Sequence, residues 1–270
     1  MPKVNSTIKK ILKEKDAGIL TGTEAMNGIL VDLQKQVMAE LGQAALGSWD
    51  AYYMKQLLDS IERSVAESDL TARREISGQL DMAWKVGQAL VDEPLKVGGI
   101  YMGFNIASST IEVMALKDFG EHITAKLFGD AWVKIRGEIT LGVLGGKTPA
   151  EVANAIGKNL KGKSVFTSIA ARAEAITKTE MGRVFSAATQ ARLAEAAKYV
   201  PDMEKKWIHS GHPKLPRPSH VAASMAPPIP WDGKFLIGST LMKHPRDSGA
   251  PIAEVINCGC DCIPWHKSWA

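Results

Sequence analysis

Apolar residues recur at intervals of three and four through most of the first two hundred positions, the spacing of a helix with one buried face. Thr21-Gly22-Thr23-Glu24 has the spacing of a capping box, and Ile29, Leu30, Leu33, Val37, Met38 and Leu41 follow it, which predicts a helix over about 24–42. Gly42 and Gly47 punctuate. Tyr53, Leu57, Leu58, Ile61 and Val65 then predict a second helix ending near Glu67, and Leu70 to Val91 a third. Pro94, Gly98, Gly99 and Gly103 interrupt the pattern before it resumes through Ile111, Met114 and Leu116 and again through Ile123, Leu127, Trp132 and Ile135, to end at Gly145-Gly146. Thr148-Pro149-Ala150-Glu151 combines an N-cap, a proline at the first helical position and a reciprocating carboxylate, so a short helix carrying Val152, Ile156 and Leu160 should start there. From Phe166 to about Tyr199 the abundance of Ala and Arg predicts one long helix.

The pattern changes at Pro201. Ten of the thirteen prolines fall between 201 and 270, with glycines at 211, 233, 238, 249 and 259 and only short apolar runs such as Phe235-Leu236-Ile237. That composition predicts a loop-rich unit of two to four short strands, with Asp232-Gly233 as a hairpin turn. The expected fold class is α+β: a helical region over 1–145, then a module over 146–270 in which a long helix (about 166–199) leads into a small β and loop unit (201–270).

Composition narrows the function only slightly. A chain of 270 residues with 45% apolar and 23% charged residues is an ordinary globular one, and a formal charge of +4 permits nucleic acid nearby without the dense basic clustering of a dedicated binder. No uninterrupted apolar stretch follows Met1, so no signal peptide is expected, and the polar residues between Val97 and Leu116 argue against a membrane span. The three cysteines, Cys258, Cys260 and Cys262, lie too close together to frame long disulfide loops, which suggests a reducing compartment.

Several segments resemble chemical motifs. Residues 157–164 match the phosphate-loop pattern G-x-x-x-x-G-K-S, but they trail a capped helix where that loop needs a preceding buried strand, so an interhelical turn accounts for them. His209 and His212 lack the intervening Glu of a helix-borne metallohydrolase pair. Cys258-x-Cys260-x-Cys262, with His266 after it and His209, His212, His220 and His244 before it, offers donors for a structural zinc, with His220, Cys258 and Cys260 as first candidates. The bland alternative is three small packed residues, or a neighbouring pair that oxidises after release from the cell. Glu180 reads as a buried carboxylate tied to Arg217 or Lys178 rather than as a catalytic base. Four of the seven tryptophans, Trp207, Trp231, Trp265 and Trp269, fall in the last seventy residues; the final two are the better docking candidates.

Taken in order, the spaced signatures resemble the phage Mu F-like family of head morphogenesis proteins, the minor head or minor capsid proteins of tailed bacteriophages. The residues that carry the likeness are Thr148 to Leu160, Thr179-Glu180 with Arg183 and Ala187, Lys206-Trp207, Arg217-Pro218-Ser219-His220, Ile229 to Phe235 with Asp232, Pro245-Arg246-Asp247, and Val255-Ile256-Asn257-Cys258-Gly259-Cys260. The match covers about 147–264. It departs from the family pattern where His209 to His212 replace an acidic residue, at Ala223 to Ala226 and at Gly259. The resemblance implies a non-catalytic virion component of several copies at the head interior or portal vertex, formed in the host cytoplasm. Its implied partners are the portal protein and the major capsid or scaffolding protein, with packaged DNA touched non-specifically and no membrane. The rival reading is a zinc-dependent hydrolase or nuclease acting during DNA packaging.

Overall fold

The computed structural model describes residues 2–44, 51–100, 110–157, 164–209 and 216–269. Gly47, Gly103, Leu160, His212 and most of the phosphate-loop match lie outside them. The described elements are α1 (Pro2–Ala44), α2 (Ala51–Val97), α3 (Thr110–Leu144), α4 (Pro149–Ile156), α5 (Val165–Ala197), β1 (Glu204–Ile208), α6 (Pro218–Met225), β2 (Ile229–Pro230), β3 (Phe235–Ile237), β4 (Thr240–Met242), α7 (Ile252–Val255) and β5 (Asp261–Trp265), followed by a 3-10 turn at Lys267–Trp269. The fold is therefore mainly α with a small antiparallel part near its end, as expected. None of the described helices is long and apolar enough to cross a membrane.

The helices are fewer and longer than their local stop signals suggest. Thr21 to Glu24 lie inside α1, because a buried stripe at Val4, Ile8, Ile11, Met26, Leu30, Leu33, Val37 and Leu41 runs along one helix face and outweighs the local capping preference. The expected break between Glu67 and Leu70 is absent for the same reason, since Leu57, Ile61, Val65, Ala72, Ile76 and Leu80 form one stripe along α2. Pro94 also lies within α2. Burial of Leu90, Val91 and Leu95 carries the helix through it to Gly98-Gly99. There Gly99 takes φ +78° and the Ile100 N–H bonds the Leu95 carbonyl at 2.9 Å, a left-handed glycine stop. Helix α3 merges the two segments expected around Leu116 and Ile123. It ends by the same device, with Gly146 at φ +66° and the Lys147 N–H on the Gly142 carbonyl at 2.8 Å.

Two elements follow their signals closely. Thr148 caps α4 with the full reciprocal box, and α5 occupies the span expected for the long helix. Helix α4 stops at Ile156, where Gly157 adopts φ +110°.

The chain forms two compact units that interleave in sequence: Met1–Thr21 with Gly78–Lys117 and Lys178–Ala270, and Gly22–Ser77 with Asp118–Thr177. The compositional boundary at 145/146 falls inside the second. That second unit is helical, its interior filled by Leu30, Leu33, Leu41, Ile61, Phe128, Ile135 and Phe166. The first unit contains all the strands among the described residues. β1 is central in a sheet of order β2-β1-β5, antiparallel to both neighbours, and β3 pairs with β4 in a separate hairpin. Asp232-Gly233 is a turn between β2 and β3, which do not pair with each other; the hairpin turn is at Gly238, with φ +60°.

Candidate metal centre and the polar seam beneath it

Strand alternation decides which β1 side chains face inward. Period two puts Lys205 and Trp207 on one face, and both are fully buried. Trp207 anchors a cluster with Ala223, Phe235, Ile237, Met242, Cys258, Cys260 and Cys262. Its ring stands edge-on to Phe235 (5.3 Å) and to His220 (5.5 Å). Opposite it across the sheet is Cys262, whose thiol burial pushes up to about 12.

His220 enters this core from α6, which Pro218 opens at the first helical position. Its Nδ1 lies 3.5 Å from the Sγ atoms of both Cys258 and Cys260. Its Nε2 meets Glu254 Oε2 at 2.8 Å, and Arg217 holds the same region by donating to the Ile256 carbonyl at 2.8 Å. The two sulfurs share their proton unequally. A hydrogen bond from Cys260, helped by His220, draws Cys258 toward the thiolate, while Cys260 is raised by that same bond to Cys258. Burial alone would lower His220, but its contacts with Cys258 and Glu254 hold it above its ordinary value. The three donor atoms lie within 4.8 Å of one another, the only such grouping of three or more among the described residues. All three residues are at most 5% exposed, so the arrangement suits holding an ion or a proton rather than receiving a large substrate.

Beneath the cluster, α5 presents a polar seam at helical spacing: Thr179, Gly182 and Arg183, Ser186, and Gln190. Thr179 Oγ1 accepts the Asn257 N–H at 3.3 Å, and Asn257 sits at φ +52°, a left-handed position that Asn tolerates well. The Arg246 guanidinium donates to the Gly182 carbonyl at 3.1 Å and the Ser186 hydroxyl at 3.2 Å, and Asp261 lies 3.9 Å away. Asp261 also takes Lys15 of α1 at 2.5 Å. Gly182 leaves room for this contact: a Cβ there would stand 2.5 Å from Arg246 Cζ, so the buried guanidinium would have to shift off the carbonyl it donates to. Gln190 accepts from Lys205 Nζ at 2.8 Å and donates to the Trp231 carbonyl at 3.0 Å. Lys205, buried beside the Phe235 ring, is pulled down to about 8 mainly by burial.

The structure thus brings Thr179, Trp207, Arg217, His220, Phe235, Asn257, Cys258 and Cys260 into one neighbourhood. Glu180 is buried as expected, but its partner is Arg183 at 3.0 Å and not Arg217 or Lys178; burial outweighs that partner and raises the carboxyl. Asp247 shapes a turn. Burial opposes its ionisation, yet the N–H groups of Lys243 (2.7 Å) and Gly249 (3.0 Å) hold it below its ordinary value. Asp232 is exposed in its turn, outside the cluster. His209, His244 and His266 do not join the donor set; His244 is buried and bonds the Pro245 carbonyl. Of the proposed docking pair, Trp265 is half-buried and Trp269 packs inward against Gly98.

Sequence reasoning missed Glu254, Lys205 and Asp261, and it treated Arg246 only as part of a turn. The available signal was the seam itself, small and polar residues every three or four positions in an Ala-rich helix. Comparison with protein-family models, with curated proteins and with solved structures finds no match to this chain.

Proposed function

We propose that this chain is a minor capsid, or head morphogenesis, protein of a tailed bacteriophage. It is non-catalytic and acts at or near the portal vertex in procapsid assembly, DNA packaging or ejection. Portal protein and major capsid or scaffolding protein are its partners, several copies enter each virion, and packaged DNA is touched only through mild positive charge.

The observation that carries this reading is the joint use of the spaced signatures. Thr179 bonds Asn257, the Arg-x-x-His segment meets the Asn-Cys-x-Cys segment, and Arg246 docks on Gly182. Residues that look like independent motifs in the chain support one another within a single module, which is what a shared ancestral module requires of them. The donors are at most 5% exposed, which supports a holding role over turnover of a large substrate.

Mass spectrometry of purified particles, paired with a pull-down against the portal protein, tests the proposal. The expected result is a low-copy virion band and retention on portal. Absence from particles together with no portal binding would reject it.

A further inference from the structure

We propose that His220 Nδ1, Cys258 Sγ and Cys260 Sγ form a binding site for one soft divalent cation of the zinc type, fastening the turn at 257–260 to α6. This inference stands independently of the capsid reading.

Geometry is the first support. A tetrahedral centre with metal–sulfur bonds of about 2.3 Å and metal–nitrogen bonds of about 2.0–2.1 Å has a sulfur–nitrogen edge of about 3.5 Å. Both sulfur–nitrogen separations here are 3.5 Å. Two of the three donor edges therefore already have the length a bound cation requires, and the third lies within 4.8 Å.

The second support is the shell around the donors. Glu254 accepts from His220 Nε2, so that nitrogen is committed and Nδ1 is the one left facing the sulfurs, available to a cation once it gives up its proton. A carboxylate behind a ligating imidazole is the recurrent outer partner of zinc-bound histidine, and it fixes ring and tautomer together. Trp207 adds a third observation. Its indole N–H is buried with no hydrogen-bonded oxygen or nitrogen. A thiolate held by a cation in this cluster would offer that N–H an acceptor.

The described residues supply three ligands to this centre. The same atoms read as a nucleophile relay from Glu254 through His220 to Cys258 find no substrate approach, because Cys258 is 5% exposed. Cys262 is not a ligand. It faces Trp207 across the sheet, in the apolar cluster.

The test uses the full chain, purified under reducing conditions without chelator, with zinc measured by elemental analysis and cobalt(II) substituted as a spectroscopic probe. We expect about one zinc per chain, together with thiolate-to-cobalt charge-transfer bands and the visible bands of a tetrahedral centre. Cys258→Ser and Cys260→Ser should each weaken the charge-transfer bands, and Cys262→Ala should leave them unchanged. Glu254→Gln keeps every ligand, so it should still bind, with affinity lower by roughly 10- to 100-fold. That variant keeps the proposal testable if the cysteine variants fail to fold. Folded wild-type protein that takes up neither zinc nor cobalt would falsify the site. Uptake that is identical in the Cys258→Ser/Cys260→Ser double variant would equally overturn it.

Discussion

The helical unit (Gly22–Ser77 with Asp118–Thr177) and the strand-bearing region (201–269) solve the problem of a stable interior in opposite ways. In the first, stability is spread over many interchangeable apolar contacts such as Leu33, Ile61, Phe128 and Phe166, and ion pairs such as Arg172 with Asp130 stay at the surface. In the second the apolar cluster is small, and charged groups are drawn inside: Arg246, Lys205 and Asp261 are each at most 2% exposed. Where the local apolar cluster is this small, a few specific polar ties bear more of the load. A core of interchangeable contacts tolerates repacking, whereas a core of matched charges does not.

The largest effect should come from Asp261→Ala, which removes the buried carboxylate that pairs with Lys15 and lies 3.9 Å from Arg246, leaving Lys15 to Asp16 and Arg246 to the Gly182 and Ser186 oxygens. Removing one partner of a buried charge set costs about 3–5 kcal/mol, and chemical denaturation should show that loss; a cost below that of a surface pair would break the comparison. Gly182→Ala comes next. Its new methyl meets Arg246 at 2.5 Å, and overpacking of this kind costs about 1–3 kcal/mol, read as a lower denaturation midpoint. In the helical unit, Leu33→Met at a fully buried site should cost less than about 1.5 kcal/mol, because volume-conserving swaps repack. A larger loss there would show that the helical core is as exacting as the module.

The gentlest probe is pH. Lys205 titrates at about 8 in the folded chain against 10.5 when unfolded. Between those values the unfolded state binds more protons, so the Lys205 contribution to stability rises with pH across the window. At lower pH both states are charged and the full burial cost remains. The groups facing the ammonium are Gln190, the Lys243 carbonyl and the Phe235 ring, with Asp232, Asp247 and Cys262 acting at longer range. Denaturation midpoints measured across the window should climb in wild type and climb less in Lys205→Met.

How far the fold was legible follows the same division. Helices α4 and α5 could be read because their signals are local: a complete capping box at Thr148 and an Ala-rich composition. The start expected at Thr21 and the stops expected near Glu67 and Pro94 failed because burial along one continuous face outweighs local preferences, about a kilocalorie per mole for a cap and about three for a proline. In the site, His220, Cys258 and Cys260 were found from donor chemistry alone. Lys205 and Asp261 were not, since a charged residue in a sequence reads as surface until the fold supplies its partner. The partner of Glu180 was mistaken for a related reason. Arg183 is one helical turn away and needed no tertiary contact, while Arg217 is committed to Glu254 and Ile256.

One feature of the chain has a practical use. All its cysteines lie in a single five-residue stretch, and every one of them is hidden from solvent. An alkylating reagent applied to the native protein therefore meets no accessible sulfur, and each modification records a moment when the segment around β5 has come open. The protein thus carries its own stopwatch for that opening, with no fluorophore or engineered label to install.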